Sequence, residues 1–479
     1  MNKLTAITTD SVLAALRLWH GGETEVWPLN HSRLGLLARQ EQEAHSSLAE
    51  AGLAAKNRAI LNRGLALLRG ITPEAEELLR DRFEHRREVL TLSNSLNVSE
   101  SSFYYRQRQA IAQLTEILQQ LEEEASHSWR ERMWQRLDLP SYSELVGISE
   151  PHEQLMTALL DQDSRFIISI DGLGGLGKTA LADRLTRDLI NTSRFDEIAW
   201  ITAKQTHISM RGRLQIESGR PALTFPMVLD HLARQLELDK RSSLSELQKQ
   251  RLVKQTLRDH ACLVVIDNLE TVADYRSLLP ELKKWRRPSK FLLTSRIRLL
   301  DELEVFSYSL KELSYESALQ LMRMESKRTG FASLVNAPDK ELYDIYEVVG
   351  GNPLAIKLVI GQLRLHALPR VLSRFAAGKE QTTRAELFDY IYSEIWESLG
   401  DDSKTTLLAL TEAGESGFTF DHLLPLTSLS ETRLEECLEE LILLSLVDLR
   451  GGLTERYYRL HRLTQRFLLR MFAEDVSSE

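Results

Sequence analysis

The stretch Phe166-Ile167-Ile168-Ser169-Ile170-Asp171-Gly172-Leu173-Gly174-Gly175-Leu176-Gly177-Lys178-Thr179-Ala180 decides the fold. Phe166–Ile170 is a short, apolar, β-branched run, which reads as a buried strand. Gly172–Thr179 fits the pattern G-x-x-x-x-G-K-[ST], and a helical pattern follows over Thr179–Ile190. Strand, glycine-rich loop and helix in that order are the context a phosphate-binding loop requires. Glycines let the backbone curl so that several N–H groups face phosphate oxygens. The helix start adds the positive end of its dipole. Gly172, Gly174, Gly175, Leu176, Gly177 and Ala180 are therefore expected around the phosphates. Lys178 would reach the β- and γ-phosphates, and the Thr179 hydroxyl would hold Mg2+.

Working outward, Glu197–Thr202, Cys262–Ile266 and Phe291–Thr294 read as further short strands. Phe225–Leu236 and Ser243–His260 between them read as helices. Strands alternating with helices predict a parallel sheet covered on both faces. A phosphate-binding loop of this kind is followed by an apolar strand ending in an acid that organises Mg2+. Leu263-Val264-Val265-Ile266-Asp267 fits, making Asp267 a second metal ligand beside Thr179. Taken alone, Asp267 is equally an ordinary strand-end residue. Asn268, next to it, cannot accept a proton, and the nearest further carboxylate is Glu270. A weak ATPase used as a switch follows from that, with Lys178, Asp267 and Glu270 as its catalytic candidates.

Residues 1–70 read as helical and carry no chemistry. Thr72-Pro73-Glu74 starts a helix with Pro at the first position and acids in the first turn. Arg86–Leu96 is a second helical run, Asn97-Val98-Ser99 a turn, and Ser99 caps a third helix from Glu100 to about Glu124. This helix-turn-helix spacing puts Phe103, Ala110, Ile111, Leu114 and Leu118 toward a core. Ser101, Ser102, Tyr105, Arg108 and Gln109 face outward. DNA contact through 72–124 is one reading, and a helical bundle docking a partner protein is the other. Local charge does not decide between them, since the arginines barely outnumber the acids between Arg80 and Arg108. Residues 126–142 read as a linker. From Ser314 the pattern is helical almost to the end, apart from Leu446–Leu460, where two short runs flank Gly451-Gly452 and suggest a two-stranded wing.

Length and composition agree with several globular domains: 479 residues, 43% apolar, net charge −9. Such a charge argues against coating nucleic acid in bulk, though not against one local patch. The two cysteines, Cys262 and Cys437, provide neither a metal cluster nor a disulfide framework, which fits a reducing compartment. The N-terminus lacks the order of a signal peptide, and no apolar run approaches the ~18 residues of a membrane span. A cytoplasmic protein with no membrane contact is the expectation.

Beyond these elements, the chain from about Tyr142 to Phe472 resembles the NB-ARC class of STAND signalling ATPases. Leu145-Val146-Gly147 looks like the segment whose backbone cradles adenine. Thr294-Ser295-Arg296 looks like the sensor strand, with Arg296 reading the γ-phosphate. Gly351-Asn352-Pro353-Leu354-Ala355 looks like the G-x-P loop, with Pro353 and Leu354 near adenine. Leu460-His461-Arg462 looks like the "MHD" motif, with His461 at the ADP β-phosphate. The sequence departs from the family pattern where Asn268 replaces a second acid and Arg462 replaces the aspartate of "MHD".

Ahead of that stretch, the residue patterns give an N-terminal helical region (1–70), a helix-turn-helix-like domain (71–125) that resembles the last DNA-binding region of bacterial sigma factors, and a linker (126–142). After these would come an α/β P-loop nucleotide-binding domain (143–311), an all-α helical domain (312–380) and a winged-helix domain (381–475). The NB-ARC resemblance implies ATP or ADP with Mg2+ as ligands, slow hydrolysis, a closed ADP form and an open oligomeric ATP form. A protein partner or self-association is expected, in bacterial signalling: transcription control or defence against phage. Two other readings stay open. One is an AAA+-like DNA-binding ATPase of replication or transposition; the other is a scaffold with permanently bound ADP.

Overall fold

In a computed structural model, residues 7–21, 28–29, 32–35, 53–192, 194–203, 223–238, 245–269, 278–285, 288–295, 304–364, 366–379, 392, 395–396, 399–413, 417–444, 446–452, 455–460, 464–465, 467–468 and 471 are described. Glu270, Arg296, His461 and Arg462 lie outside these residues. The chain forms two compact units, Met1–Arg136 with Leu189–Asp196, and Leu137–Asp188 with Glu197–Glu479.

The first unit is helical. It comprises α1 (Thr9–Arg17), α2 (Leu53–Ile71), α3 (Pro73–Leu79), α4 (Val89–Ser95) and α5 (Glu100–Gln135). A π-helical turn, Arg80–Glu84, continues α3. Ser99 caps α5, its hydroxyl accepting from the Ser102 N–H at 3.2 Å. Phe103, Ala110, Ile111, Leu114 and Leu118 are buried in a core shared with α1–α4, on the face the sequence pattern assigns. The helix does not stop near Glu124. It runs through 126–135, part of the stretch read as a linker, because Ala125, Trp129 and Met133 continue its buried stripe. Trp129 has a specific task there. Its indole N–H donates to the Asp196 carbonyl at 2.6 Å, and the Arg33 guanidinium stacks 3.6 Å from its ring. Arg33 in turn donates to the Phe195 carbonyl at 2.8 Å. The outward residues Ser101, Ser102, Tyr105, Arg108 and Gln109 are all exposed.

The second unit opens with α6 (Ser149–Leu160) and a five-stranded sheet: β1 (Ile167–Asp171), β2 (Glu197–Thr202), β3 (Cys262–Leu269), β4 (Lys290–Ser295) and β5 (Val305–Ser309). The strand order is β2-β3-β4-β1-β5, and every pairing is parallel. Helices α7 (Lys178–Ile190), α8 (Phe225–Gln235) and α9 (Glu246–Asp259) connect strands. Val228, Leu229 and Leu232 of α8 and Val253 and Leu257 of α9 pack on one sheet face, against Ala199, Ile201, Val264, Ile266 and Phe291. The predicted α/β core with a parallel sheet is therefore what the chain builds. The strand β5 was not read from sequence. Only Val305 of its five residues is fully buried, so it lacks the continuous apolar run of the inner strands.

After the sheet come α10 (Tyr315–Arg328), α11 (Ala332–Val335), α12 (Asp339–Val349), α13 (Pro353–Gln362), α14 (Leu368–Lys379), α15 (Asp401–Ala409), α16 (Phe420–Thr427) and α17 (Glu431–Leu443). An antiparallel hairpin of β6 (Val447–Gly451) and β7 (Arg456–Leu460) follows, where the two-stranded wing was expected. One buried cluster runs from α10 through α17 to this hairpin and takes in Val146. No described helix is long and apolar enough to cross a membrane.

The segment before α6 is tied to both α7 and the hairpin. Arg187 of α7 donates to Asp183 at 2.7 Å and to the Asp138 carbonyl. Asp183 also accepts from the Tyr142 hydroxyl at 2.8 Å. Burial and that carboxylate push the Tyr142 phenol well above its ordinary range, so it stays a donor. The Asp138 carboxylate lies 3.4 Å from Arg450 and 3.8 Å from Arg459.

Candidate nucleotide site

In open parallel sheets, ligands bind beyond the carboxyl ends of the strands, where connections diverge to either side. Here β1 sits between β4 and β5, and its end carries the glycine-rich loop. The loop base is anchored by Asp171, whose buried carboxylate accepts from Ser307 and Ser309 of β5, both at 2.6 Å. The Leu310 N–H donates to the Asp171 carbonyl at 2.8 Å. These anchors escaped sequence reading because β5 itself did.

Lys178 is the first residue of α7, and its ammonium donates to the Gly172 and Leu173 carbonyls, each at 2.7 Å. The lysine thus folds back across the loop. Thr179, one residue on, donates its hydroxyl to Asp267 Oδ1 at 2.8 Å. Thr294 donates to the same oxygen at 2.5 Å. Asp267 is fully buried, and a carboxylate is retained there only if donors or a cation compensate its lost hydration. Residues 88 apart in sequence are thereby brought together as the proposed Mg2+ ligands, with Lys178 adjacent to one of them.

Asn268 occupies the left-handed region with φ 74°, and its N–H donates to Thr294 Oγ1 at 2.8 Å. The β3–β4 pairing shifts register between Ile266 and Leu269, where this residue sits. Asparagine tolerates that conformation better than most side chains, which gives a backbone reason for the residue found there.

The remaining nucleotide candidates divide. Leu176 is buried, Ala180 is half-buried in the first turn of α7, and Gly174 and Gly175 meet the start of α13. A Cβ on Gly177 would enter open space, so the loop is unobstructed at that point. Val146 is buried in the same cluster as Leu354, and Gly147 lies against Leu313 and Ser317 of the α10 region. Pro353 is the first residue of α13. Loop amides, a lysine ammonium, and a hydroxyl paired with a buried carboxylate make a donor set that fits the phosphates of a nucleotide with Mg2+.

Sheet order and loop geometry together define a P-loop NTPase core. Residues 148–329 match the NB-ARC domain model. A probable disease resistance protein of Arabidopsis thaliana is 25% identical over 311 residues, covering 61% of this chain and 33% of that protein. A putative disease resistance RPP13-like protein of the same plant is 29% identical over 239 residues, covering 46% and 25%. The chain spans about a third or less of the length of the curated relatives it matches. Among solved structures, a STAND protein with a tetratricopeptide repeat sensor from Pyrococcus horikoshii is 18% identical. It aligns at TM-score 0.42, over 69% of this chain and 43% of that one. The Aeropyrum pernix ORC2 protein is 15% identical with TM-score 0.34, over 71% and 98%.

Proposed function

We propose that this chain is a STAND-type molecular switch: it binds ADP or ATP with Mg2+, hydrolyses ATP slowly, and assembles into oligomers under nucleotide control. The observation carrying this reading is the bond between Thr179 Oγ1 and the buried Asp267 carboxylate at 2.8 Å, one residue from Lys178. Lys178 would bind the β- and γ-phosphates, and Thr179 and Asp267 would hold Mg2+, which would supply charge neutralisation there. Asn268 supplies no proton acceptor beside Asp267, so an attacking water is poorly activated and occupancy outlasts turnover. Val146, Gly147, Pro353 and Leu354 would enclose the base. Arg296 would read the γ-phosphate and His461 the ADP β-phosphate. The disease resistance names of the relatives support a place in signalling or defence, and we take the setting to be cytoplasmic and bacterial.

Light scattering of the purified chain in saturating ATP–Mg2+ and in ADP–Mg2+ tests the switch. The ATP form is expected to have the larger mass. Asp267→Asn should lower Mg2+-dependent phosphate release by about 100-fold, by analogy with removal of other electrostatic catalytic groups. Equal masses in both nucleotides would sink the oligomer claim.

A second reading concerns the first unit. The run Ser101–Thr115 of α5 contains no acid, and its exposed face carries Ser101, Ser102, Tyr105, Arg106, Arg108 and Gln109. A helix-turn-helix presents such a face of its recognition helix to the major groove, so duplex DNA is the proposed ligand. Fluorescence anisotropy of a mixed-sequence duplex across a salt series checks it. Arg108→Ala should reduce the slope of log affinity against log salt by about 1.

A further inference from the structure

We propose that Asn352 is a positioning residue that sets the phosphate loop's amide groups and ties them to the seating of α13, an inference that rests on the nucleotide reading above. Asn352 is 4% exposed and its side chain is used at both ends. Its Oδ1 caps α13, accepting from the Leu354 N–H at 3.1 Å and the Ala355 N–H at 3.3 Å. Its Nδ2 donates to the Gly174 carbonyl at 3.0 Å, across 178 residues of sequence. The Leu354 N–H also reaches the Gly175 carbonyl at 3.4 Å.

The consequence follows from peptide planarity. In a trans peptide the carbonyl of one residue and the N–H of the next point in opposite directions. Two successive loop carbonyls, Gly174 and Gly175, are held toward the start of α13. The N–H groups of Gly175 and Leu176 must therefore point away from it. Adjacent amides turned to one side make a concave anion site, so Asn352 aims donors that bind phosphate without touching phosphate itself. Gly175, with φ 78°, is packed tightly in this arrangement. A Cβ there would lie 2.8 Å from Asn352 Oδ1 and 2.9 Å from Leu354 Cβ. A side chain at this point would have to displace the start of α13. Loop geometry and the seating of α13 are one mechanical element, and a phosphate that reorients the loop amides moves the start of α13.

Two variants separate this role from simple support of the helix. Asn352→Ser and Asn352→Asp both retain a good N-cap acceptor and both lose the donor to Gly174. Competition with a fluorescent ADP analogue is measured for ADP and for adenosine, alongside the melting midpoint of nucleotide-free protein. The expected result is ADP affinity weakened about 10-fold in Asn352→Ser, more in Asn352→Asp, with adenosine affinity unchanged and the Asn352→Ser midpoint close to that of the wild type. Adenosine lacks the phosphates, so a general displacement of α13 would weaken both ligands alike. An unchanged ADP affinity, or an equal loss for ADP and adenosine, overturns the inference while leaving the nucleotide reading intact. A wild-type chain that binds no ADP overturns both.

Discussion

Lys178→Ala is expected to weaken ADP and ATP binding by at least about 100-fold, because a buried or half-buried charge pair loses one partner and the phosphate charge stays behind. The structure favours a local effect. The ammonium donates to the Gly172 and Leu173 carbonyls of the loop. These carbonyls belong to a loop that is anchored independently, through Asp171 on β5 and through Asn352 on α13. Removing the lysine therefore takes away the cation without releasing the loop. Isothermal titration of the variant with ADP, beside a thermal melt of the nucleotide-free protein, checks this. A melt like the wild type's with binding lost is the expected pair of results. Binding retained within a few-fold would mean that the phosphates lie elsewhere.

The second large effect is structural. Gly351 precedes the cap of α13 and lies directly on the backbone that leads into α10. Its carbonyl accepts from the Leu313 N–H at 2.9 Å, and an added Cβ would lie 2.0 Å from the Leu313 carbonyl oxygen. Backbone on both sides leaves nothing flexible to give way. Gly351→Ala must push the start of α13 from the chain at Leu313, and with it Asn352 from the phosphate loop. A loss on the order of 3 kcal/mol is expected, lowering the unfolding midpoint by roughly 5–10 °C. ADP affinity should fall with it. Gly70→Ala is the matched comparison: a Cβ there meets nothing within 4 Å, near the end of α2. It should be neutral or slightly stabilising. Equal melting midpoints for the two variants would show that the Gly351 contact is not tight.

Much of the nucleotide-binding core was legible because its signals are local. Cys262–Ile266 is a continuous apolar run and Ile167–Ile170 is broken only by Ser169, since strands covered on both faces show little polar alternation. The loop's glycines and Lys178-Thr179 mark themselves by residue type. What stayed hidden was pairing at long range. Nothing in Val305-Phe306-Ser307-Tyr308-Ser309 announces that two of its hydroxyls hold Asp171. Likewise, Asn352 in a turn motif reads as a helix cap, which it is. Its second bond, to Gly174, exists only because α13 comes back to the loop. The linker expectation failed over 126–135 for a related reason. A polar, charged surface with a sparse apolar stripe disguised the last turns of α5, where Trp129 and Met133 are buried. Asn268 cannot take a proton, and the structure gives it a backbone role at φ 74°.

The central claim is that Gly172–Thr179 holds one exchangeable adenine nucleotide. Its most direct test is the nucleotide itself: denature the purified protein, before and after incubation with excess ATP–Mg2+, and quantify what is released by chromatography and mass. About one adenine nucleotide per chain is expected in each sample, ADP before and a mixture enriched in ATP after, with none from Lys178→Ala. Folded wild-type protein that releases no nucleotide under either condition would contradict it.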